Sequence, residues 1–268
     1  MQGRTSGVVF GERAGMRPSK VSKLRLGQQL PKEKDIRDWV AAAGESDAVA
    51  DELIAELADA EMHTSSFERR LRQGQEDFQR DYNELVKQAD TIKMIERSFI
   101  PRVLQTFDYA KAILFETKNQ HNAADDVDAS VAVRLECQAY LYDGKRQFEF
   151  LIDEAVLTRD VANPQVMHDQ MVQLLAVLNR KNVRLGILPI YGKYHDALRN
   201  SFVLYGDVAF VETSWGDDPQ TDEQWARFND VMAETWQDAR EGQEARRLIT
   251  NAMEHHAAEA KAEAAGKG

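Results

Sequence analysis

A short cationic segment near the N-terminus contains the residue types that bind nucleic acid. Residues 15–31 read GMRPSKVSKLRLGQQLP, in which cations and hydroxyl groups are interspersed with apolar residues. Gly15 suits the turn before a helix, Pro18 or Ser19 can begin that helix, and a glycine and a proline follow its end. The spacing therefore predicts a short helix over residues 19–26.

The predicted helix has two unlike faces. Val21 and Leu24 are three residues apart and are expected to pack on a core. The outward positions and the adjoining turns hold Arg17, Ser19, Lys20, Ser22, Lys23 and Gln28. Cations neutralise phosphates, and short polar groups reach base edges in the major groove of DNA. We predict that the two lysines contact DNA bases or phosphates and that the two serines form hydrogen bonds with bases or phosphates. Arg17 and Gln28 are predicted to contact the DNA backbone.

Charge is distributed unevenly along the chain. The whole sequence has a net charge of −11, but residues 1–40 carry +5 and the remainder carries −16. Contact with nucleic acid is therefore expected to be confined to the first forty residues. An ordinary solvated surface is the alternative explanation of the N-terminal excess.

The composition is that of a soluble globular protein with a sizeable core. Its 268 residues contain no apolar run near the ~20 residues that cross a bilayer, and no signal peptide is evident. The single cysteine, Cys137, excludes an intramolecular disulfide. We therefore expect a cytoplasmic protein that is associated with the nucleoid when it binds DNA, and no membrane partner.

The titratable residues give only weak indications of catalysis. The six histidines form no His-Glu-x-x-His pattern and suit surface imidazoles, and neither a phosphate loop nor a Gly-x-Ser-x-Gly elbow is present. Asp153, Glu154 and Glu212 fall at predicted strand ends, where carboxylates can line a crevice or simply be solvated. We expect no enzymatic activity, no cofactor and no metal site. A hydrolase or transferase would need these three acids and a histidine to meet in a cleft.

Aromatic residues of the C-terminal part could frame a ligand pocket, or they could belong to an ordinary core. Hydrophobic periodicity predicts the elements around them. Helices are predicted over residues 4–14, 33–43, 46–61, 67–88 and 125–143. Three further helices are predicted to begin after Thr106, Asn163 and Thr221, and a last amphipathic helix follows them. Strands are predicted over residues 91–98, 147–152, 183–188, 202–205 and 208–212, the last two joined by a Gly206-Asp207 hairpin turn. In the helix over residues 33–43, Ile36, Trp39 and Val40 form the expected core face.

These elements predict an α/β (α+β) protein in four parts. Residues 1–45 are an incomplete, all-α helix-turn-helix head, and residues 46–88 are connecting helices. Residues 89–257 form a mixed α/β domain with a few-stranded sheet flanked by helices. Residues 258–268 are expected to be a disordered tail.

Two sets of motifs resemble known families. SKVSKLRLGQQLP resembles the Xre-type, phage-repressor-like helix-turn-helix, and KEKDIRDWVAAAG is similar to the fourth helix of that head. FIPRVLQTFDYAKAIL, LIDEAVLTRDV and the later hairpin resemble the effector domain that follows such heads in actinobacterial regulators. Two positions depart from these patterns, since Arg25 replaces a usual glutamate and Arg102 replaces a usual glycine.

The resemblance implies an antitoxin-like transcription regulator that binds a double-stranded DNA operator. It also implies a homodimer and a small partner protein encoded alongside. Eleven residues precede Glu12, so the first helix of the head is expected to be largely absent. The alternative is a protein-interaction or ligand-sensing module that has lost DNA binding through this truncation.

Overall fold

The chain divides into two compact units, residues 1–66 and residues 67–268. The computed structural model describes residues 13–17, 20, 21, 24, 31–191, 196–213 and 216–266. Within the described residues, the fold is mixed α/β with ten α-helices and an open sheet of seven strands, as the sequence predicted. None of the described helices is both long enough and apolar enough to span a membrane.

The first unit contains a small apolar cluster beside a turn. Val21 is 2% exposed and packs with Ala14 and Met16. Leu24 and Trp39 cover this cluster, which confirms the inner face predicted for the short helix. The intervening Gly15 has a φ of +63°, a conformation that glycine adopts without strain.

The next helix, α1 (Glu33–Ala43), matches its predicted bounds. Its Ile36 and Val40 are buried with Ala50 in a second small cluster, as expected for its core face. Gly44 ends the helix with a φ of +81°.

The following helix, α2 (Asp47–Gln73), is longer than predicted. We expected residues 62–66 to interrupt it, but that segment contains neither glycine nor proline and continues the helix. The break lies instead at Gly74, before α3 (Gln75–Gln88).

The second unit alternates helices with strands. The helices are α4 (Phe107–His121), α5 (Val127–Glu136), α6 (Ala139–Tyr142), α7 (Glu154–Thr158), α8 (Pro164–Val177), α9 (Asp222–Thr235) and α10 (Gly242–Gly266). The strands are β1 (Thr91–Glu96), β2 (Gln147–Asp153), β3 (Val183–Leu188), β4 (Phe202–Tyr205), β5 (Val208–Thr213), β6 (Gly216–Pro219) and β7 (Arg240–Glu241). Two short 3₁₀ turns cover Arg102–Leu104 and Asp196–Arg199.

The sheet has the order β6-β5-β4-β1-β2-β3-β7. Strands β1, β2 and β3 are parallel to one another, with Glu96 beside Ile152 at the end of the β1–β2 pair. Strand β4 runs antiparallel to β1, so that Phe202 at its start lies beside Ile95. Strand β5 therefore ends, and β6 begins, at the same edge of the sheet as the carboxyl end of β1.

Helices cover both faces of this sheet. One face carries Ile92, Met94 and Phe150 in the main core, which continues into α4, α8 and α10. The opposite face packs Ile95 and Leu151 against Trp236, at the end of α9. Alternation along the strands assigns neighbouring residues to these two faces.

Side-chain caps confirm three predicted helix starts. Thr106 accepts a hydrogen bond from the Tyr109 amide, Asn163 accepts one from Val166, and Thr221 forms a capping box with Gln224.

Two segments of the second unit differ from expectation. The helix predicted over residues 125–143 is divided into α5 and α6 by a turn at Cys137 and Gln138. The last helix continues to Gly266, where we expected a disordered tail. The alanine, lysine and glutamate residues of that tail are strong helix formers, which explains its extension.

Close packing around one glycine gives a stability prediction. A Cβ atom on Gly186 would lie 2.6 Å from the Trp236 ring and 3.0 Å from Leu151 Cδ2. We expect Gly186→Ala to lower the free energy of unfolding by about 1–3 kcal/mol through overpacking. Urea denaturation measures this, with Gly266→Ala as the control because its Cβ would meet no atom within 4 Å. Equal midpoints for the two variants would contradict the packing.

Candidate functional site

The predicted DNA-contact residues are only partly described by the structure. Arg17 is exposed, and its carbonyl accepts hydrogen bonds from the Lys20 and Val21 amides, at 2.9 and 3.1 Å. The remaining predicted contacts, Ser19, Ser22, Lys23 and Gln28, lie outside the described residues.

Lys20 does not point freely outward as expected. Its Nζ lies 2.5 Å from Asp35 Oδ1, and Asp35 is only 5% exposed. The same carboxylate accepts a hydrogen bond from the Lys32 amide at 3.0 Å, at the start of α1. The hydrogen bond from Lys20 is the main cause of the lowered pKa of Asp35. Since a buried carboxylate needs a partner, Lys20 has a structural role in this unit.

The three acids considered for catalysis have separate surroundings. Asp153 accepts two hydrogen bonds from the Arg97 guanidinium, at 3.1 and 3.0 Å. Glu154 accepts one from the Ile190 amide at 3.1 Å. Glu212 instead lines a cavity that neither of the other two acids lines.

This cavity is the strongest candidate site in the second unit. It has a volume of about 190 Å³ and lies at the carboxyl-end edge of β1. Strands β1, β5 and β6 contribute one acid each, while α5 and the 3₁₀ turn after β1 contribute arginines. Ligands commonly bind outside the carboxyl ends of strands in open α/β sheets.

The acids continue apolar stripes of the sheet. Glu96 follows Ile92 and Met94 on the face of the main core and is only 5% exposed. Glu212 stands two residues after Phe210, which packs on the same core. These glutamates therefore occupy positions where the alternation along each strand would place an apolar side chain.

Desolvation raises the pKa of all three acids. It raises the pKa of Glu96 well above its ordinary value, and that of Glu212 to about 7. Asp217 lies directly across from Glu212 in the β5–β6 pair, and its pKa is raised for the same reason. Its carboxylate accepts a hydrogen bond from the Tyr82 hydroxyl. Like charges opposite one another in a sheet destabilise it, so protonation is favoured here.

Two arginines face the same cavity. Arg102 is 8% exposed, donates from Nη2 to Gln79 Oε1 at 2.6 Å and lies 4.0 Å above the centre of the Tyr82 ring. Arg134 is half-buried, and desolvation, with Arg102 adding repulsion, lowers its pKa to about 10. At that pKa the Arg134 guanidinium remains charged at neutral pH.

Several buried polar atoms around the cavity have no hydrogen-bond partner among the described residues. They are Arg102 Nε, Arg134 Nε, Glu96 Oε2, Gln75 Oε1 and Gln105 Oε1. Within that part of the chain, neither arginine forms an ion pair. Buried polar atoms are nearly always bonded in native proteins, so this concentration marks a place where another molecule can bind.

A larger groove of about 940 Å³ lies at the opposite edge, along the beginnings of β1, β2 and β3. Its main cations already have partners. Lys93 Nζ lies 2.9 Å from Asn229 Oδ1 and 3.6 Å from Glu149, and Arg184 donates two 2.8 Å bonds to Glu241. The groove therefore offers few unsatisfied groups to a ligand, despite its size.

One group of side chains in α10 has the spacing of metal ligands. The ring nitrogens of His255 and His256 and a carboxylate oxygen of Glu259 lie within 4.8 Å of one another. His256 is fully buried, contrary to the surface position we expected, and its Nε2 lies 2.9 Å from the Leu157 carbonyl. The other ring nitrogen lies 3.3 Å from Glu259, so hydrogen bonding within the protein accounts for this arrangement.

The raised pKa of Glu212 predicts a specific pH dependence. Because the folded-state pKa of about 7 exceeds the ordinary 4.5, the contribution of Glu212 to stability is greatest at low pH and falls as the pH rises through this interval. Glu212→Gln should remove part of that fall and be more stable than the parent above pH 7, by about 1–3 kcal/mol. Urea denaturation at pH 5, 6, 7 and 8 measures it, with exposed Glu136→Gln as control. Parallel profiles for Glu212→Gln and the parent would contradict the assignment.

Comparison with curated proteins gives no match, and neither does comparison with solved structures. One family does match, under the description "Domain of unknown function (DUF5753)", over residues 79–251. The matched segment contains all five charged residues of the cavity. The chain therefore belongs to the DUF5753 family.

Proposed function

We propose that this chain is a DNA-binding transcription regulator whose C-terminal domain receives a signal. The main support is the buried packing of Val21 on Ala14 and Met16 across the Gly15 turn. This is the inner face that the Xre-type interpretation of residues 15–31 requires. Exposed Arg17 stands at the beginning of the same segment.

The charge distribution supports the same proposal. An excess of +5 in residues 1–40 provides a cationic surface for phosphates, while the −16 of the remainder repels DNA. In this proposal Arg17 and Lys23 contact phosphates or bases, and the nearby serines and Gln28 complete the contacts. Lys20 instead supports them by neutralising Asp35.

The family resemblance described above further supports a cytoplasmic homodimer and a small protein partner encoded alongside. The partner or a ligand would then be the signal that the C-terminal domain receives.

A second candidate function is a ligand-sensing module that does not bind DNA. The cavity favours it, because all of its lining residues lie within residues 67–268. Such a module would bind its ligand without any contribution from the first unit.

Salt dependence distinguishes these functions. We expect the full chain to bind a duplex covering the region upstream of its own coding sequence, with affinity that falls steeply from 50 to 200 mM salt. Each phosphate contact removed should reduce the slope of log affinity against log salt by about one unit. Arg17→Ala and Lys23→Ala are therefore expected to weaken binding and flatten the slope in fluorescence-anisotropy titrations.

The control for these titrations is Arg247→Ala, which removes an exposed cation from α10. Its affinity and slope should equal those of the parent chain. If the parent does not bind the duplex, or if all three variants bind alike, the proposal of DNA binding by this segment fails.

A further inference from the structure

We propose that the cavity at the carboxyl end of β1 binds a small organic carboxylate, held by Arg102 and Arg134. The inference deepens the proposed function and rests on the receiving role given there to the C-terminal domain. It names the chemical class of the signal.

The two arginines are the reason to expect a bound anion. Each has an Nε atom that is buried beside the cavity and has no partner among the described residues. A guanidinium group cannot release its proton at neutral pH, so two neighbouring charges persist in a partly desolvated place. The two oxygens of a carboxylate can accept a pair of hydrogen bonds from a guanidinium group, and the carboxylate neutralises the positive charge of that group at the same time.

The acids of the cavity attract the arginines only from beyond ion-pair distance. Neither Glu96, Glu212 nor Asp217 forms an ion pair with either arginine within the described part of the chain. Desolvation raises the pKa of all three acids and so favours their neutral, protonated forms. A protonated carboxyl group then becomes a hydrogen-bond donor toward the same ligand.

Water can satisfy the hydrogen bonds of the arginines, but a carboxylate also places a negative charge directly against the guanidinium groups. An occupant that carries negative charge therefore fits the site better than ordered water alone.

The walls and the size of the cavity indicate an organic anion. Phe78, Phe99 and the rings of Tyr82 and Tyr205 line it together with the charged groups. Its volume of about 190 Å³ is below the ~300–1,000 Å³ of pockets that hold drug-sized ligands. A carboxylate with a small apolar body, of about the size of benzoate, would cover the rings and reach the arginines.

The test uses four probes of similar size or charge on the full chain. Isothermal titration calorimetry compares benzoate with neutral benzamide, cationic benzylamine and inorganic phosphate, in a chloride-free buffer near pH 6. We expect benzoate to bind at least about tenfold more tightly than each of the others, since removing one side of a charged hydrogen bond costs at least that much. Equal affinity for benzamide would overturn the charge requirement, and tighter binding of phosphate would overturn the organic ligand.

Variants assign the site. Arg134→Gln should weaken benzoate binding by at least about tenfold, while exposed Arg247→Gln should leave it unchanged. Arg134→Lys keeps the charge but loses the planar donor geometry, and should bind with intermediate affinity. Circular dichroism and the urea midpoint show whether Arg134→Gln folds. If it does not fold, the Arg134→Lys variant and the four probes test the assignment of the site. Parent-like benzoate affinity in folded Arg134→Gln or in Arg134→Lys would overturn the site.

The duplex titration described above is carried out on the same samples. A chain that binds benzoate as described but does not bind the duplex overturns the regulator proposal and leaves the anion site supported. A chain that binds the duplex but not benzoate overturns the anion site alone.

Discussion

Two arginines with buried Nε atoms, which form no ion pair among the described residues, set the chemistry of the C-terminal domain. Arg102 and Arg134 meet beside a cavity, and no acid among the described residues pairs with either of them. Charged groups are costly to bury without a partner, and a guanidinium group does not escape that cost by losing its proton. The domain therefore keeps two guanidinium groups whose buried Nε atoms lack a partner among the described residues.

The surrounding fold holds this site in place. The 3₁₀ turn that follows β1 in the chain carries Arg102, and the Tyr82 ring packs beneath its guanidinium group. The sheet beyond is covered on both faces by apolar clusters that contain almost entirely buried side chains. Burial of this core stabilises the folded domain. That stabilisation offsets the cost of a few buried polar side chains at one edge of the sheet. Glu96 and Glu212, at the ends of apolar stripes, are those side chains.

Local sequence patterns predicted the helices and strands well, because the start and end of each such element depend on residues that are close in sequence. The caps at Asn163 and Thr221 and the hairpin at Gly206 follow from such local rules. The cavity could not be predicted in this way, since Arg102 and Arg134 lie on segments that α4 separates in the sequence. Of its acids, only Glu212 was noticed from the sequence. Alternation along β1 placed Glu96 on the core face, a signal that could have identified it. The pairing of Lys20 with Asp35 likewise depends on how Lys20 lies against α1, since Asp35 is fifteen residues further along the chain.

The unpaired arginine charges can be observed directly by nuclear magnetic resonance. Arginine Nε–H signals of the isotope-labelled full chain, assigned through single variants, would be followed during titration with benzoate. We predict that saturable shifts are largest for Arg102 and Arg134 and that exposed Arg247 stays unchanged. Signals of Arg102 and Arg134 that do not move, or that move no more than that of Arg247, would contradict an anion site in this cavity.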